Sequence, residues 1–278
     1  MDVEDRGLYA CRAKGIFRKK KIKPNVGDTV EIEILDEKDR EGNLTVIHER
    51  KNQLVRPMVA NVDQALVVFS FKDPEPNYHL LNCFLIMMES QGIPVIICMN
   101  KCDLADPEAM ETFREDYRGS GCRLCFISAL KEEGLDEVRE LIRGRTTVMA
   151  GPSGVGKSSL LNALCGQKQM ETGSVSRKIR RGRHTTRHSE LIPVGHGTYL
   201  MDTPGFSSLA LPAMDREKLK SCFAEFEPYE GKCRFLDCCH ENEPDCAVKQ
   251  AVETGDISLH RYKEYLAFLE EIRQQKKW

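Results

Sequence analysis

The feature that most constrains the fold is a glycine-rich segment at 151–158, which reads Gly-Pro-Ser-Gly-Val-Gly-Lys-Ser. It fits the pattern G-x-x-x-x-G-K-[ST], in which glycines let the backbone curl until its N–H groups point at phosphate oxygens. An apolar run at 146–150 precedes this segment, and a helical pattern at 157–164 follows it. Because a phosphate loop lies between a strand and a helix, this order favours a nucleotide site over a simple glycine-rich turn.

The positions of this loop have separate expected roles. Lys157 is expected to reach the β and γ phosphates of the nucleotide, and Ser158 is expected to bind Mg²⁺. The remaining phosphate-binding positions are Gly151, Ser153, Gly154, Val155, Gly156 and Ser159. The loop therefore predicts a nucleotide bound with Mg²⁺, but it does not select the base.

A second motif, Asn-Lys-Cys-Asp at 100–103, follows the apolar run at 93–99 and can select the base. The carboxylate of Asp103 can accept hydrogen bonds from N1–H and the 2-amino group of guanine. Adenine lacks this donor pair and would leave a buried carboxylate unpaired. Lys101 is expected to lie along the base plane, and Asn100 is expected to tie the loop to neighbouring segments. The motif therefore predicts guanine specificity.

Two further loops complete the expected pocket. Ser128 and Ala129 follow an apolar run and resemble the loop whose backbone N–H meets guanine O6. Asp202 and Gly205 belong to a D-x-x-G motif. Asp202 is expected near Mg²⁺, and the N–H of Gly205 is expected to face the γ-phosphate.

The segment 182–186, Gly-Arg-His-Thr-Thr, is expected to contribute a metal ligand and a catalytic group. Thr186 is expected to complete the Mg²⁺ shell, with Thr185 as the alternative. Many GTPases place a glutamine after D-x-x-G to orient the attacking water, but Phe206 stands there and has no polar group. His184 is therefore the candidate to position water. Its alternative roles are a contact with RNA or the capping of a turn.

From about residue 60 onward, apolar runs alternate with helical patterns. Continuous apolar runs are typical of parallel strands covered on both faces, so they predict a doubly wound α/β domain. The predicted strands are 64–71, 93–99, 123–127, 146–150 and 198–201, and the predicted helices are 79–90, 107–117, 134–143 and 157–164.

The first 56 residues indicate a small β-barrel, and the OB-fold is one such barrel. Apolar and charged residues alternate at 30–34, and the segments 25–28 and 41–43 are typical of turns. A basic loop between strands is expected to contact RNA, as such loops of OB barrels commonly do, or to be a solvated charged loop. Its residues are Arg18, Lys19, Lys20 and Lys21.

From about residue 212 the chain is predicted to be helical and to hold a metal. Three thiols and one imidazole lie within fourteen residues, and four such ligands suit a closed tetrahedral zinc site. The expected ligands are Cys233, Cys238, His240 and Cys246, with Cys239 as an alternative to Cys238. The long helix predicted at 257–276 has an apolar face formed by Leu259, Tyr262, Leu266, Leu269 and Ile272.

Composition limits where the protein acts. The formal net charge is −2, so any nucleic-acid surface must be local. In addition to the basic loop at 18–21, a second basic segment contains Arg180, Arg181 and Arg183.

No apolar run approaches the roughly 20 residues that cross a bilayer. The first five residues, Met-Asp-Val-Glu-Asp, lack the apolar stretch of a signal peptide. We expect a cytoplasmic protein without membrane contact, whose twelve cysteines are mostly reduced and buried.

The order of the motifs is rotated relative to that of ordinary small GTPases. In those proteins the phosphate loop comes first, followed by the switch threonine, D-x-x-G, N-K-x-D and S-A. Here N-K-x-D and S-A come first, which the same pocket tolerates because chain termini often lie close together. With the signatures at 151–162, 182–186 and 202–206, the chain resembles the circularly permuted bacterial family called ribosome small-subunit-dependent GTPase A (RsgA).

This resemblance covers nearly the whole chain and implies three domains: the OB-like barrel at 1–56, a permuted GTPase domain at 57–211 and a helical zinc domain at 212–278. Relative to the family pattern, the first strand of the barrel is expected to be short or missing. It implies GTP hydrolysis in late maturation of the small (30S) ribosomal subunit, stimulated by the subunit and its 16S rRNA. It also favours His184 as the catalytic residue and Cys238 as the zinc ligand. We expect a monomer off the ribosome. The alternative function is a GTP-regulated switch in translation control with little catalysis of its own.

Overall fold

The computed structural model describes residues 1–3, 6–19, 22–54, 58–166, 190–195, 197–202, 209 and 211–275. The N-terminal part is built from short strands. Strands β1 (Asp2–Val3) and β2 (Gly7–Leu8) form a hairpin. Strands β3 (Ala10–Ala13), β4 (Val30–Asp36) and β5 (Glu41–Ile47) form a separate sheet in the order β3-β5-β4, and helix α1 spans Gly15–Lys19. Within the described residues, no strand pairing joins the hairpin to this sheet.

The turn predicted at 41–43 is wrong. The segment 41–43 is the start of β5 rather than a turn, and the chain reverses at 37–40. Asp36 stabilises that reversal, because its Oδ1 accepts the backbone N–H groups of Lys38 and Asp39 at 2.7 and 2.9 Å. Gly42 serves close packing in the strand, since a Cβ there would lie 3.0 Å from the Glu33 carbonyl oxygen.

The basic segment also differs from the prediction. Arg18 and Lys19 lie in α1 rather than in a loop. The buried ring of Phe17, which is 7% exposed, anchors this short helix. Lys20, Lys21 and the side chain of Arg18 lie outside the described residues.

A six-stranded sheet forms the centre of the molecule, after a short hairpin of β6 (Gln53–Leu54) and β7 (Val59–Ala60). Its strands lie in the order β10-β9-β8-β11-β13-β12. They are β8 (Gln64–Ser70), β9 (Val95–Asn100), β10 (Arg123–Phe126), β11 (Thr146–Ala150), β12 (Glu190–Gly195) and β13 (Thr198–Asp202). All neighbours are parallel except β12 and β13, which are antiparallel. The α/β prediction is confirmed, and the edge strand β12 is the one strand of this sheet that the sequence patterns missed.

Four helices of the described part of the chain cover the two faces of this sheet. They are α2 (Tyr78–Glu89), α3 (Pro107–Tyr117), α4 (Leu135–Ile142) and α5 (Lys157–Cys165). Alternate residues of β8 serve two separate cores: Val67 and Phe69 pack with α2 and α3, whereas Leu66 and Val68 pack with α4 and α5. Burial on both faces explains why β8 is apolar nearly throughout. None of the described helices combines the length and the apolar character that crossing a membrane requires.

Parallel pairing brings the predicted motifs to one edge of the sheet. Strands β8, β9, β10, β11 and β13 all point the same way, so the loops after them begin at the same edge. N-K-x-D begins at the end of β9, S-A follows β10, and the phosphate loop follows β11. The rotated motif order is therefore compatible with a single nucleotide pocket at the carboxyl ends of the strands.

The C-terminal part is helical and packs on α2. It contains α6 (Arg216–Ser221), a 3₁₀ segment at Ala224–Tyr229, α7 (Ala247–Thr254) and α8 (Leu259–Gln275). A shared core joins Cys83 and Ile86 of α2 to Phe223 and Phe268 of the C-terminal part.

The predicted apolar face of α8 is partly wrong. Leu259 is 54% exposed, whereas Arg261, Tyr265 and Phe268 are buried together with Leu269 and Ile272. A buried face that includes an arginine cannot be recognised from apolar spacing alone. The prediction therefore assigned Leu259 to the buried face and left out Arg261 and Tyr265.

A buried polar network explains why Arg261 points inward. Its guanidinium binds the Glu225 carboxylate at 2.7 and 3.3 Å and donates to Oδ1 of Asn82 in α2. The hydroxyl of Tyr117 in α3 donates to the same Oδ1 at 3.2 Å. Arg261 also lies 4.6 Å from the centre of the Phe223 ring. The network therefore joins the C-terminal part to two helices of the α/β domain.

Arg261→Ala is expected to lower the free energy of unfolding by about 3–5 kcal/mol, because it leaves the carboxylate of Glu225 buried without its partner. The control is Arg143→Ala, whose ion pair with Glu140 is exposed and is expected to contribute less than about 1 kcal/mol. Urea unfolding measures both variants. Equal decreases in the free energy of unfolding for the Arg143 and Arg261 variants would show that the buried ion pair stabilises the fold no more than the exposed one.

Candidate nucleotide-binding site and metal cluster

Asn100 joins three of the predicted loops at one point. The side chain is buried, and its Nδ2 donates to the carbonyl oxygen of Val155 in the phosphate loop at 2.8 Å. Its Oδ1 accepts the N–H of Ala129 at 2.9 Å and that of Lys101 at 2.8 Å. Gly156 must be a glycine here, because its φ is +94° and a Cβ would lie 2.4 Å from Asn100 Nδ2. One amide thus holds N-K-x-D, S-A and the phosphate loop together.

Lys101 extends from N-K-x-D to the phosphate loop. Its backbone is in the left-handed region, with φ of +60°. The ammonium group donates to the carbonyl oxygen of Gly154 at 2.9 Å and to that of Asp73. The side chain is therefore held at its charged end by two separate segments of the chain.

Asp103 and Ser128 belong to the two loops that are expected to contact the base. The Asp103 side chain is 9% exposed, and Lys131 Nζ lies 3.9 Å from its Oδ2. Ser128 is buried and exchanges both backbone hydrogen bonds with Glu133 at 3.1 Å, which closes a tight loop. A shielded carboxylate at this position can distinguish bases by their donor groups.

The phosphate loop curls closely against β8. Gly151 has φ of +146°, and a Cβ there would lie 2.1 Å from the Val68 carbonyl oxygen. Val155 is buried and anchors the loop, whereas Ser153, Gly154, Ser158 and Ser159 are exposed or half-exposed at its surface. The loop therefore presents its polar groups outward, as a phosphate site requires.

Lys157 begins α5 and folds back over the loop. Its Nζ donates to the carbonyl oxygens of Gly151 and Pro152 at 2.8 and 2.6 Å. Burial lowers the pKa of Lys157, while the charge of Asp202 acts in the opposite direction. Asp202 ends β13 and is the register partner of Met149 in β11. Lys157 therefore follows the loop after β11, and Asp202 ends the neighbouring strand β13.

Several predicted residues lie outside the described part of the chain. They are His184, Thr185, Thr186 and Gly205 of the expected catalytic and Mg²⁺ sites, and Arg180, Arg181 and Arg183 of the expected RNA surface. Their roles stay predictions.

Three positions near the pocket were not identified from the sequence. They are Lys131 beside Asp103, Asp73 as an acceptor for Lys101, and Ser70. Ser70 and Asp73 could have been suspected from their place at the carboxyl end of β8. No motif marks Lys131, and only its distance from Asp103 draws attention to it.

The C-terminal part contains a group of four metal-ligating side chains: Cys233, Cys238, His240 and Cys246. Their ligand atoms all lie within 4.8 Å of one another. The sulfurs of Cys233 and Cys246 are 3.8 Å apart, and His240 Nδ1 lies 3.6 and 3.3 Å from them. Zn–S bonds of about 2.3 Å with tetrahedral angles would separate two sulfurs by about 3.8 Å. These donor atoms therefore fit one tetrahedrally bound metal ion.

Cys239 is not part of this group. Its Sγ is 3.2 Å from the Arg216 guanidinium, and its carbonyl oxygen accepts the hydroxyl of Tyr265 at 2.8 Å. The neighbouring His240 carbonyl accepts the hydroxyl of Tyr262 at 2.6 Å. Helix α8 thereby fixes the backbone of the cluster and the direction in which each side chain points.

Metal binding to the cluster must displace a proton from a cysteine thiol. Burial raises the pKa of Cys238 to about 12 and lowers that of His240. Burial also acts to raise the pKa of Glu243, but hydrogen bonds from the backbone N–H groups of Cys239 and Glu241 outweigh it and lower the value to about 2. Without a cation the Cys238 thiol keeps its proton at neutral pH, so metal binding releases it.

Comparison with known proteins agrees with this geometry. The family model described as "RsgA GTPase" matches residues 47–212, and the model "RsgA N-terminal domain" matches residues 2–43. A protein of Agathobacter rectalis named "Small ribosomal subunit biogenesis GTPase RsgA" is 53% identical over 271 residues, which cover 98% of this chain and 90% of the relative. A protein of Clostridium beijerinckii with the same name is 50% identical over 274 residues, covering 98% and 93%.

Two solved structures are similar over nearly the whole chain. The crystal structure of YjeQ from Thermotoga maritima is 36% identical, covers 97% of this chain and 92% of its own, and has a TM-score of 0.78. The structure of YloQ, described as a circularly permuted GTPase, is 38% identical, covers 99% and 90%, and has a TM-score of 0.77. Its motifs stand in rotated order, Asn100 joins three of their loops, and a Cys₃His cluster lies in the C-terminal part. The chain belongs to the RsgA family of circularly permuted GTPases.

Proposed function

We propose that this protein hydrolyses GTP to GDP and phosphate as a late maturation factor of the small (30S) ribosomal subunit, and that the subunit stimulates the hydrolysis. The observation that carries the GTP site is the hydrogen bonding of Asn100, which holds the base-recognition, S-A and phosphate loops in one pocket. The names of the relatives, "Small ribosomal subunit biogenesis GTPase RsgA", support the subunit as the target.

Each part of the pocket has a proposed role. Asp103 recognises guanine through N1–H and the 2-amino group, and Lys101 lies along the base. The exposed edge of the phosphate loop and Lys157 bind the phosphates. Bound Mg²⁺ would be held by Ser158, Asp202 and Thr186, with Thr185 as the alternative to Thr186, and would neutralise charge on the phosphates. Gly205 faces the γ-phosphate.

The Cys₃His cluster is proposed to hold one structural zinc ion. Four protein ligands leave no open position for substrate, so the ion would support the fold and take no part in hydrolysis. The division into domains at 1–56, 57–211 and 212–278 is part of the same proposal.

RNA binding is proposed for two local basic segments, one at 18–21 and one that contains Arg180, Arg181 and Arg183. Lys19 is exposed on α1, which supports the first of them. Contacts with phosphates of the 16S rRNA would weaken as salt rises. We propose that GTP favours docking on the subunit, that hydrolysis favours release, and that the free protein is a cytoplasmic monomer.

Purified small subunits are expected to raise the GTP turnover of this protein, and His184→Ala is expected to remove most of that increase while GDP binding stays unchanged. The reason is that Phe206 offers no polar group to orient water, which leaves the task to His184. Loss of a positioned group of this kind costs about 10²–10⁴-fold in rate. Single-turnover hydrolysis with and without subunits measures the effect.

Lys157→Ala is the control for contaminating GTPases. It removes the expected phosphate ligand, so turnover that this variant retains is attributed to other proteins. If small subunits do not raise the GTP turnover of the unaltered protein, the result would favour the alternative function, a GTP-regulated switch with little catalysis of its own. Stimulated turnover that is normal in His184→Ala would remove His184 from the mechanism and leave the proposed function intact.

A further inference from the structure

We propose that Ser70 is a positioning residue for guanine recognition, because its hydroxyl fixes the turn that anchors Lys101. The inference rests on the proposed GTP site and adds a residue outside the motifs. The connection runs in three steps, from Ser70 to the turn at 71–74, from that turn to the ammonium group of Lys101, and from Lys101 to the phosphate loop.

Ser70 occupies a central position beneath the pocket. It is the last residue of β8, the strand between β9 and β11, and it is the register partner of Asn100. It is fully buried, and its Oγ donates to the carbonyl oxygen of Pro74 at 2.9 Å. A hydroxyl without solvent depends on such a partner, so this bond holds Pro74 over the end of the strand.

The turn that follows is held at both ends. Phe71 is buried and stacks on Phe126 of β10, with ring centroids 6.1 Å apart and planes 10° from parallel. At the other end, Asn77 caps α2 by accepting the N–H of Leu80 at 2.9 Å. Between these anchors, the hydrogen bond from Ser70 ties Pro74 to the end of β8.

The carbonyl oxygen of Asp73 points from this turn to Lys101. The ammonium group of Lys101 donates to this oxygen and to the Gly154 carbonyl oxygen at 2.9 Å. Two acceptors on separate segments define the position of a flexible side chain better than one does. Because the four-carbon stem of Lys101 is the expected surface along guanine, a shift of Asp73 would misplace that surface relative to Asp103.

Ser70→Ala is expected to weaken GDP binding about tenfold, the effect of losing one buried hydrogen bond that positions a ligand contact. The base contact is made equally in the ground and transition states, so KM for GTP should rise while kcat is unchanged. Ser70→Cys, which keeps a similar volume with a weaker donor, is expected to shift binding in the same direction.

Ser90→Ala is the matched control. The Ser90 hydroxyl also donates to a backbone carbonyl, that of Met87 at 2.9 Å, but at the end of α2 that leads away from the pocket. Equal GDP affinities for the Ser70 and Ser90 variants would overturn the proposal, as would a fall in kcat with KM unchanged.

A double-mutant cycle with Lys101→Ala tests the route. If Ser70 acts through Lys101, Ser70→Ala should have little further effect on GDP affinity once the lysine side chain is gone. Additive losses would overturn the proposal while leaving the GTP site intact. Unchanged GDP binding in Lys101→Ala alone would remove Lys101 from the base site and would overturn the role of Ser70, whereas Asp103→Asn tests the base site separately.

Discussion

Asp103→Asn is expected to lower the affinity for GDP on the order of 10⁴-fold and to create binding of xanthosine diphosphate. The carboxylate is 9% exposed, so few waters can replace the hydrogen bonds it loses. Asparagine presents an NH₂ group where guanine also presents one, and the two donors oppose each other. Xanthine carries an oxygen at that position, which can accept a hydrogen bond from the asparagine NH₂ group. Competition between the two diphosphates for the protein measures the exchange of specificity.

Asp106→Asn is the control for this change. Asp106 lies three residues further on, caps α3 through the N–H of Glu108, and can be replaced there by asparagine with little cost. A protein with Asp103→Asn that still prefers GDP would show that this carboxylate does not read the base.

Removal of the metal is expected to unfold the C-terminal part, with a large loss of helical far-UV signal and of thermal stability. Structural zinc contributes about 10–16 kcal/mol in small zinc domains. The four proposed ligands lie in a segment that both α6 and α8 contact. The core of this part is shared with α2, so the loss of stability should extend into the α/β domain. Treatment with a chelator, followed by zinc analysis and thermal melting, measures both effects.

The neighbouring cysteines supply a matched pair of variants. Cys238→Ser should abolish stoichiometric zinc and lower the melting temperature as chelation does. Cys239→Ser should retain one zinc per chain, because its Sγ faces Arg216 instead of the other ligands. Retention of zinc by the first variant and its loss from the second would reverse the assignment of the ligand.

Much of the pocket is predictable because each of its motifs is short and continuous. The phosphate loop, N-K-x-D and S-A are recognised from neighbouring residues, and their strands are recognised from apolar runs that are buried on both faces. Parallel strands then bring their ends to one edge whatever the order of the motifs along the chain. This is why rotation of the order did not hide the nucleotide site.

Local patterns failed where packing outweighed residue preference. Glu41, Gly42 and Asn43 are typical of turns, yet they begin β5 because Gly42 allows the close approach of β4. Strand β12 escaped prediction because it lies at the edge of the sheet, where its residues are only half-buried and the apolar signal is weak.

By itself, the sequence determined the phosphate and base motifs, the α/β class and the candidate metal ligands, with Cys238 and Cys239 as alternatives, since these follow from contiguous patterns. The tertiary structure alone decided which groups act on one another. It directs Cys238 rather than Cys239 into the cluster, buries Arg261 against Glu225, and places the Ser70 turn under Lys101. These choices depend on directions and distances between residues far apart in the chain, which hydrophobic spacing and motif patterns do not encode.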